Sequence, residues 1–210
     1  MKMITFVGIE RCDFAYHVVR TLALEAPHVV AIDNSYSHEL FGAVLCADTV
    51  DEKQEMIVRS NITFLRDIGY SPDFFNSFDY IVVYDGENRR EEDLVNASFV
   101  FAMPDYRKKS LLSMKGLPEN TEYILRDAAG KLNERSAAEI MEVDAGQVIG
   151  SLPHDAGDYA NYLSLLYNGR QKLKGLSEEY IEGLAYVCGR VMDMDEKQAI
   201  QMIKKARKSA

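Results

Sequence analysis

Gly8-Ile9-Glu10-Arg11-Cys12-Asp13 is the run with the most to say about chemistry, because it joins a strand-like stretch to a helical one, the place where many α/β proteins hold a phosphate. A phosphate-cradling turn is rich in glycine so that backbone N–H groups converge on the oxygens, and it carries a Lys for their charge and a Ser or Thr for Mg²⁺. This turn supplies one glycine, two acids, an Arg and a Cys. Arg11 is the cation that could meet a phosphate; its plainer alternative is an ion pair with Glu10 or a solvated loop position. Cys12 beside Arg11 at a helix start has the setting that lowers a thiol pKa, yet no His or other base follows at an interpretable spacing, so it reads as a small, partly buried loop residue. Asp13 is expected to cap the helix, using the N–H groups that a phosphate would otherwise take. Asp33 and Asp85 each close an apolar run. Asp85 stands at the strand end where open α/β sheets bind ligands, and could hold an Mg²⁺-bound water or simply shape a turn before Gly86. His17, His28, His38 and His154 form no metal-ligand spacing, and no Ser sits in a Gly-x-Ser-x-Gly elbow.

The elements that must position these residues follow from periodicity. Met3 to Gly8 is a short apolar strand; Phe14, Ala15, Val18, Val19, Leu22 and Ala26 then mark one helical face until Pro27; His28 to Asp33 is a second strand. Further strands are expected near Asn61–Arg66, Tyr80–Asp85, Ser98–Met103, Glu122–Arg126 and Gln147–Leu152. Helices are expected over Asp51–Arg59, Glu91–Asn96, Tyr106–Lys115, Glu134–Glu142 and Ser177–Met194, the last capped by Ser177 with Glu178 and Glu179 in its first turn. Tyr36–Val50 reads as loop, with a single helical turn as the most it suggests. Runs such as Ile81-Val82-Val83-Tyr84 are apolar throughout, the habit of central strands covered on both faces. The expected fold is α/β: a mostly parallel sheet of about seven strands with helices on both faces, in one domain over 1–210 whose residues 195–210 form a C-terminal helical tail.

Taken in order, these landmarks resemble the MinD/ParA-like branch of P-loop ATPases over most of the chain. That family's second strand ends Ile-Asp-x-Asp, where this chain has Ala31-Ile32-Asp33-Asn34-Ser35. Its Walker B strand is similar to Phe78-Asp79-Tyr80-Ile81-Val82-Val83-Tyr84-Asp85. A helix feeding a strand and a Pro is matched by Asp93 through Pro104, and a late strand running into Pro-x-Asp by Ile149-Gly150-Ser151-Leu152-Pro153-His154-Asp155. The departures fall on the nucleotide contacts. Alignment on Asp33 puts Arg11 at the Walker Lys, Cys12 and Asp13 at the two Thr positions and Glu10 at a Gly; Ser35 replaces the second Asp, and Arg126 stands near the Asn that in relatives reads adenine. If nucleotide binding is retained, the resemblance assigns it to Gly8, Arg11, Cys12, Asp13 and Pro153, with Asp33 and Asp85 as the catalytic and Mg²⁺-holding acids. What the resemblance implies is a pseudo-ATPase with a degenerate Walker A loop, a positioning or assembly adaptor of the CpaE/TadZ pilus-assembly kind, needing no cofactor. The alternative is a working ATPase or related autokinase with ATP and Mg²⁺ held by Arg11 and backbone amides; the tail lacks the tyrosine cluster of such kinases, having none after Tyr186.

A net charge of −9 argues against nucleic acid as a partner, since phosphate neutralisation needs surplus Lys and Arg on one face. The expected partner is a protein, with the chain itself pairing as a homodimer through the loop edge at Gly8, Ile9 and Cys12. Three cysteines, Cys12, Cys46 and Cys188, are too few for a disulfide framework, and the expected place is the cytoplasm, at the inner membrane only through a partner. Ala199, Ile200, Ile203 and Ala206 share a face of the tail, with Lys204, Lys205, Arg207 and Lys208 beside them; the tail is expected to finish the domain rather than anchor it to lipid, which it could do only weakly without Phe, Trp or Leu.

Overall fold

The computed structural model describes residues 1–45, 55–67, 72–128, 133–169, 173 and 175–209. In chain order it runs β1 (Lys2–Gly8), α1 (Asp13–Leu22), β2 (Val29–Asp33), α2 (Glu39–Leu45), β3 (Met56–Arg59), β4 (Ile62–Arg66), α3 (Pro72–Phe75), β5 (Tyr80–Gly86) and α4 (Glu91–Val95). It continues with β6 (Phe99–Met103), α5 (Lys108–Ser113), β7 (Thr121–Ala128), α6 (Glu134–Met141), a 3-10 turn, β8 (Val148–Pro153), α7 (Ala156–Asn168), α8 (Glu178–Met192) and α9 (Glu196–Ser209). The strands form one eight-stranded sheet in the order β3-β4-β2-β5-β1-β6-β7-β8. Every pairing is parallel except β3 with β4.

Side chains alternate across this sheet and so build a core on each face. Ile4 and Phe6 of β1 join Phe14, Leu165 and Leu184 of α1, α7 and α8. On the other face Val7 packs with Leu111 and Met141 of α5 and α6, and Met3 with Phe75 of α3. Ser177 caps α8 as expected, its hydroxyl accepting the Tyr180 N–H at 3.2 Å. The tail is helical, and its apolar residues Ala199, Met202 and Ile203 are buried in the domain's own core. Among the described residues no helix is long and apolar enough to cross a membrane.

Two expectations fail here. The helix expected over Asp51–Arg59 is overturned at its described end, where Met56–Arg59 is an edge strand antiparallel to β4; residues 51–54 lie outside the described residues. The cause is the turn Ser60-Asn61, whose φ values of 51° and 62° give the two consecutive left-handed residues of a tight hairpin. Tyr36–Val50 contains the two-turn helix α2, and α7 is a full helix that periodicity had not revealed.

The parallel strands β1, β2 and β5 all end at one edge, at Gly8, Asp33 and Gly86, and α1 starts there.

Candidate functional site

The loop after β1 closes on itself. Gly8 has a φ of 141°, and a Cβ there would stand 2.3 Å from the Met103 carbonyl oxygen, so only glycine lets β1 press this closely on β6. Ile9 N–H then donates to Met103 O at 3.2 Å, and Arg11 N–H turns back to Ile9 O at 2.8 Å. The Tyr84 hydroxyl donates to that same Ile9 oxygen. The Cys12 N–H faces the Glu39 carboxylate, which also accepts the Tyr162 hydroxyl at 2.8 Å. N–H groups that would converge on an anion in a phosphate cradle therefore bond to the chain's own oxygens.

Glu10 reaches across the ends of β2 and β5. Its Oε1 accepts the Glu87 N–H at 2.9 Å, and its Oε2 accepts the hydroxyl and N–H of Ser37. Gly86 makes room for this: with φ at 54°, a Cβ would lie 2.4 Å from Glu10 Oε1.

Arg11 and Asp13 both correct the sequence reading. Arg11 pairs neither with Glu10 nor with solvent; its guanidinium donates to Asp127 at 3.0 and 3.2 Å and to Asp13 at 3.3 Å, and lies against the rings of both Tyr159 and Tyr162. Asp13 does not cap α1. Cys12 holds the cap position without a side-chain bond, and the buried Asp13 carboxylate accepts Arg126 Nη2 at 3.0 and 3.2 Å. Burial alone would raise the Asp13 pKa, but Arg126 and Arg11 outweigh it and hold the carboxyl below its ordinary value. Arg126, in turn, is buried near the end of β7 and lies over the Tyr180 ring. Cys12 is fully buried, and burial with Asp13, Glu39 and Asp33 nearby pushes its thiol up, the reverse of an activated cysteine. Pro153 is exposed at the rim, next to His154, whose Nδ1 lies 3.3 Å from Asp127.

The two strand-end acids each accept hydrogen bonds from nearby loop groups. Asp33 Oδ1 accepts the N–H and hydroxyl of Ser35, its Oδ2 accepts the Phe41 N–H at 2.9 Å, and burial raises its pKa. Asp85 is completely buried and accepts the Arg90 N–H at 3.0 Å. Burial and the adjoining Asp93 carboxylate push Asp85 up to about 8, so the pair keeps a proton that a single carboxylate would lose. Asp93 is fixed from its other side by Asn34 Nδ2 at 2.8 Å.

The edge thus carries Glu10, Asp13, Asp33, Glu39, Asp85 and Asp93, and the guanidiniums of Arg11 and Arg126 are already engaged by acids. This donor set does not fit Mg²⁺-triphosphate: the amides of Ile9, Arg11 and Cys12 are engaged, no hydroxyl replaces the Walker Thr, and the one loop cation is tied down. No group of three or more His, Cys, Asp or Glu is arranged to hold a metal among the described residues. Glu39, Asp127 and Tyr162 belong to the site yet had no sequence signal, since their partners lie far away along the chain; Arg11 to Asp127, for example, spans 116 positions, while Asp93 joins the site through Asn34, 59 positions away, as well as through nearby Asp85.

No protein-family model and no curated protein matches the sequence. Solved structures do match in fold. A chain of the MinC:MinD cell division protein complex of Aquifex aeolicus superposes with a TM-score of 0.60 at 12% identity, covering 99% of this chain and 95% of that one. A McdA variant of Cyanothece, solved as its ATP complex, gives 0.60 at 14% identity, with coverage of 93% and 97%. A ParA family ATPase from Chlorobium tepidum gives 0.56 at 12% identity, with coverage of 96% and 98%. At such identities the likeness is one of fold: the chain has the MinD/ParA-like α/β architecture.

Proposed function

We propose that this chain is a MinD/ParA-like pseudo-ATPase, a domain that keeps the architecture of a nucleotide switch without its turnover and serves as a positioning or assembly adaptor for another protein. The observation that carries the reading is the internal use of the phosphate edge: Ile9 and Arg11 N–H bonded to main-chain oxygens, and Glu10 bonded to Ser37 and Glu87. The structural neighbours include one solved with ATP and one solved with a protein partner, MinC; this chain is proposed to retain the second kind of activity. A pilus or secretion assembly of the CpaE/TadZ type is the proposed setting, by resemblance alone.

Electrostatics works in the same direction. A triphosphate brings about four negative charges beside Glu10, at roughly 1 kcal/mol of repulsion per close pair in water and more in a partly buried cleft, whereas Asp13 is already paired with Arg126 and Arg11. Transition-state stabilisation loses the Ile9 and Arg11 N–H groups, which bond to main-chain oxygens. Isothermal titration with ATP and Mg²⁺ is expected to give no micromolar binding; such binding, abolished in Arg11→Ala, would show that Arg11 replaces the Lys and would return the chain to the ATPases. A constitutive homodimer is part of the same proposal, although Gly8 and Cys12 are buried and of the three expected contact residues only Ile9 reaches solvent. Light scattering that shows a monomer with and without ATP removes the dimer.

A further inference from the structure

A second feature lies away from the phosphate edge, on the flank formed by the edge strand β8 and helix α8. Here an open groove of about 570 Å³ runs between Ile149 and Leu152 of β8 and Met194 just beyond α8. Its helical wall is a single stripe, Glu179, Glu182, Tyr186, Arg190 and Asp193, recurring every three or four residues. From 179 to 194 that wall is about 22 Å long, the length of a four-turn helix rather than of a small molecule.

Charge defines what fits. Asp193 is neutralised by Lys2 and Arg190 by Glu122. Glu179, Glu182 and Glu196 are exposed at the rim and have no ion-pair partner among the described residues. Glu179 and Glu196 also stand in the first turns of their helices, where an acid suits the dipole, but Glu182 stands further along and has no such reason. On its other flank α8 packs against α1, so a helix laid in the groove would extend the helical layer across the last strand of the sheet.

We infer that this groove docks a basic amphipathic helix of a partner protein, its apolar side on the partly exposed Ile149 and Met194 above the buried Leu152 and its Lys or Arg side chains on the carboxylates of Glu179, Glu182 and Glu196. The chain's own α9 is not the occupant in a second copy, because the apolar residues of that helix, Ala199, Met202 and Ile203, are already buried in their own domain. The inference does not depend on the state of the phosphate edge, and its test uses no nucleotide.

Gly150 supplies the decisive variant. It lines the groove, a Cβ there would meet nothing within 4 Å, and its backbone is not in the left-handed region, so Gly150→Phe fills the groove without changing charge. The probe is a fluorescein-labelled 18-residue amphipathic helix of Leu and Lys, titrated with the full chain by anisotropy, with a Leu/Glu helix as its counterpart. Saturable binding of the Lys helix is expected, at least tenfold tighter than that of the Glu helix, weakened at least threefold by Glu182→Lys and at least tenfold by Gly150→Phe. Amide shifts at Ile149, Gly150 and Tyr186 map the contact on the wild-type chain, which keeps the test decisive even if a variant misfolds. Absence of binding, equal binding of both helices, shifts confined to other faces, or undiminished binding by folded Gly150→Phe overturns the proposal. Self-association of the wild type that Gly150→Phe abolishes would overturn it in favour of a second copy.

Discussion

Replacing Asp13 with Asn removes one charge from a buried cluster without changing its shape, and the cost can be ordered from the geometry. Asp13 faces two guanidiniums, Arg126 with 3% of its side chain exposed and Arg11 with 10%. Asp13→Asn leaves Arg126 facing a neutral amide in low-dielectric surroundings while Arg11 keeps Asp127; breaking a buried pair typically costs about 3–5 kcal/mol, and the amide oxygen that can still accept a bond places this case near ~3 kcal/mol. Arg126→Met is expected to cost less, about 1–2 kcal/mol, because Asp13 keeps Arg11 at 3.3 Å. The double variant should cost less than the sum of the two singles, since the second substitution removes the group stranded by the first. Urea unfolding at neutral pH measures all three. The sign with pH is fixed as well: the folded pKa of Asp13 is depressed, so its stabilisation is full above the ordinary carboxylate value and is lost as pH falls through the folded one. The gap between wild type and Asp13→Asn should therefore narrow below about pH 4. A cost for Asp13→Asn under ~1 kcal/mol, or a larger cost for Arg126→Met, would refute the view that this cluster locks the start of α1 to β7.

Two further outcomes are expected. Asp85 has a raised folded pKa, so the neutral form is favoured in the fold, and its contribution is full below the unfolded value and lost as pH rises toward about 8. Asp85→Asn should flatten that decline, which is at most about 1.4 kcal/mol per pH unit, and equal slopes for variant and wild type in thermal melts would contradict the shared proton. Deleting residues 195–210 should leave co-sedimentation with anionic vesicles unchanged while lowering stability, because Met202 and Ile203 leave the core at roughly 1.5–3 kcal/mol each. Vesicle binding that disappears on truncation would reverse that reading.

Much of the frame was legible because continuous apolar runs are unambiguous when both faces of a strand are covered. Ile81-Val82-Val83 and Phe99-Val100-Phe101 could be little else, and the observed β5 and β6 lie within a residue of the expected spans. Met56-Ile57-Val58-Arg59 misled because it is short, mostly exposed and preceded by Asp51-Glu52-Lys53-Gln54-Glu55, a composition that suits a helix. The informative signal was the pair Ser60-Asn61, read correctly only as a hairpin turn. Helix α7 had its stop in Gly169, at φ 54°, and its start in Asp155, whose carboxylate accepts the Asp158 N–H. At the site, the sequence displayed which residues depart from a phosphate loop, but not what they do instead. That Glu10 turns to Ser37 and Glu87 while Arg11 turns to Asp127 depends on which loops the sheet order brings together, and no local pattern records it.

The carboxylate of Glu10 can also be regarded as a ligand tied to its receptor. A tethered group acts at an effective concentration of the order of millimolar or above, and that concentration does not change with the metabolic state of the cell. Free anions gain a foothold on the amide of Glu87 and the hydroxyl of Ser37 only by displacing a competitor that cannot diffuse away. By ordinary mass action a soluble ligand could stabilise the state that binds it here only at a concentration raised by the factor this tethered competitor imposes.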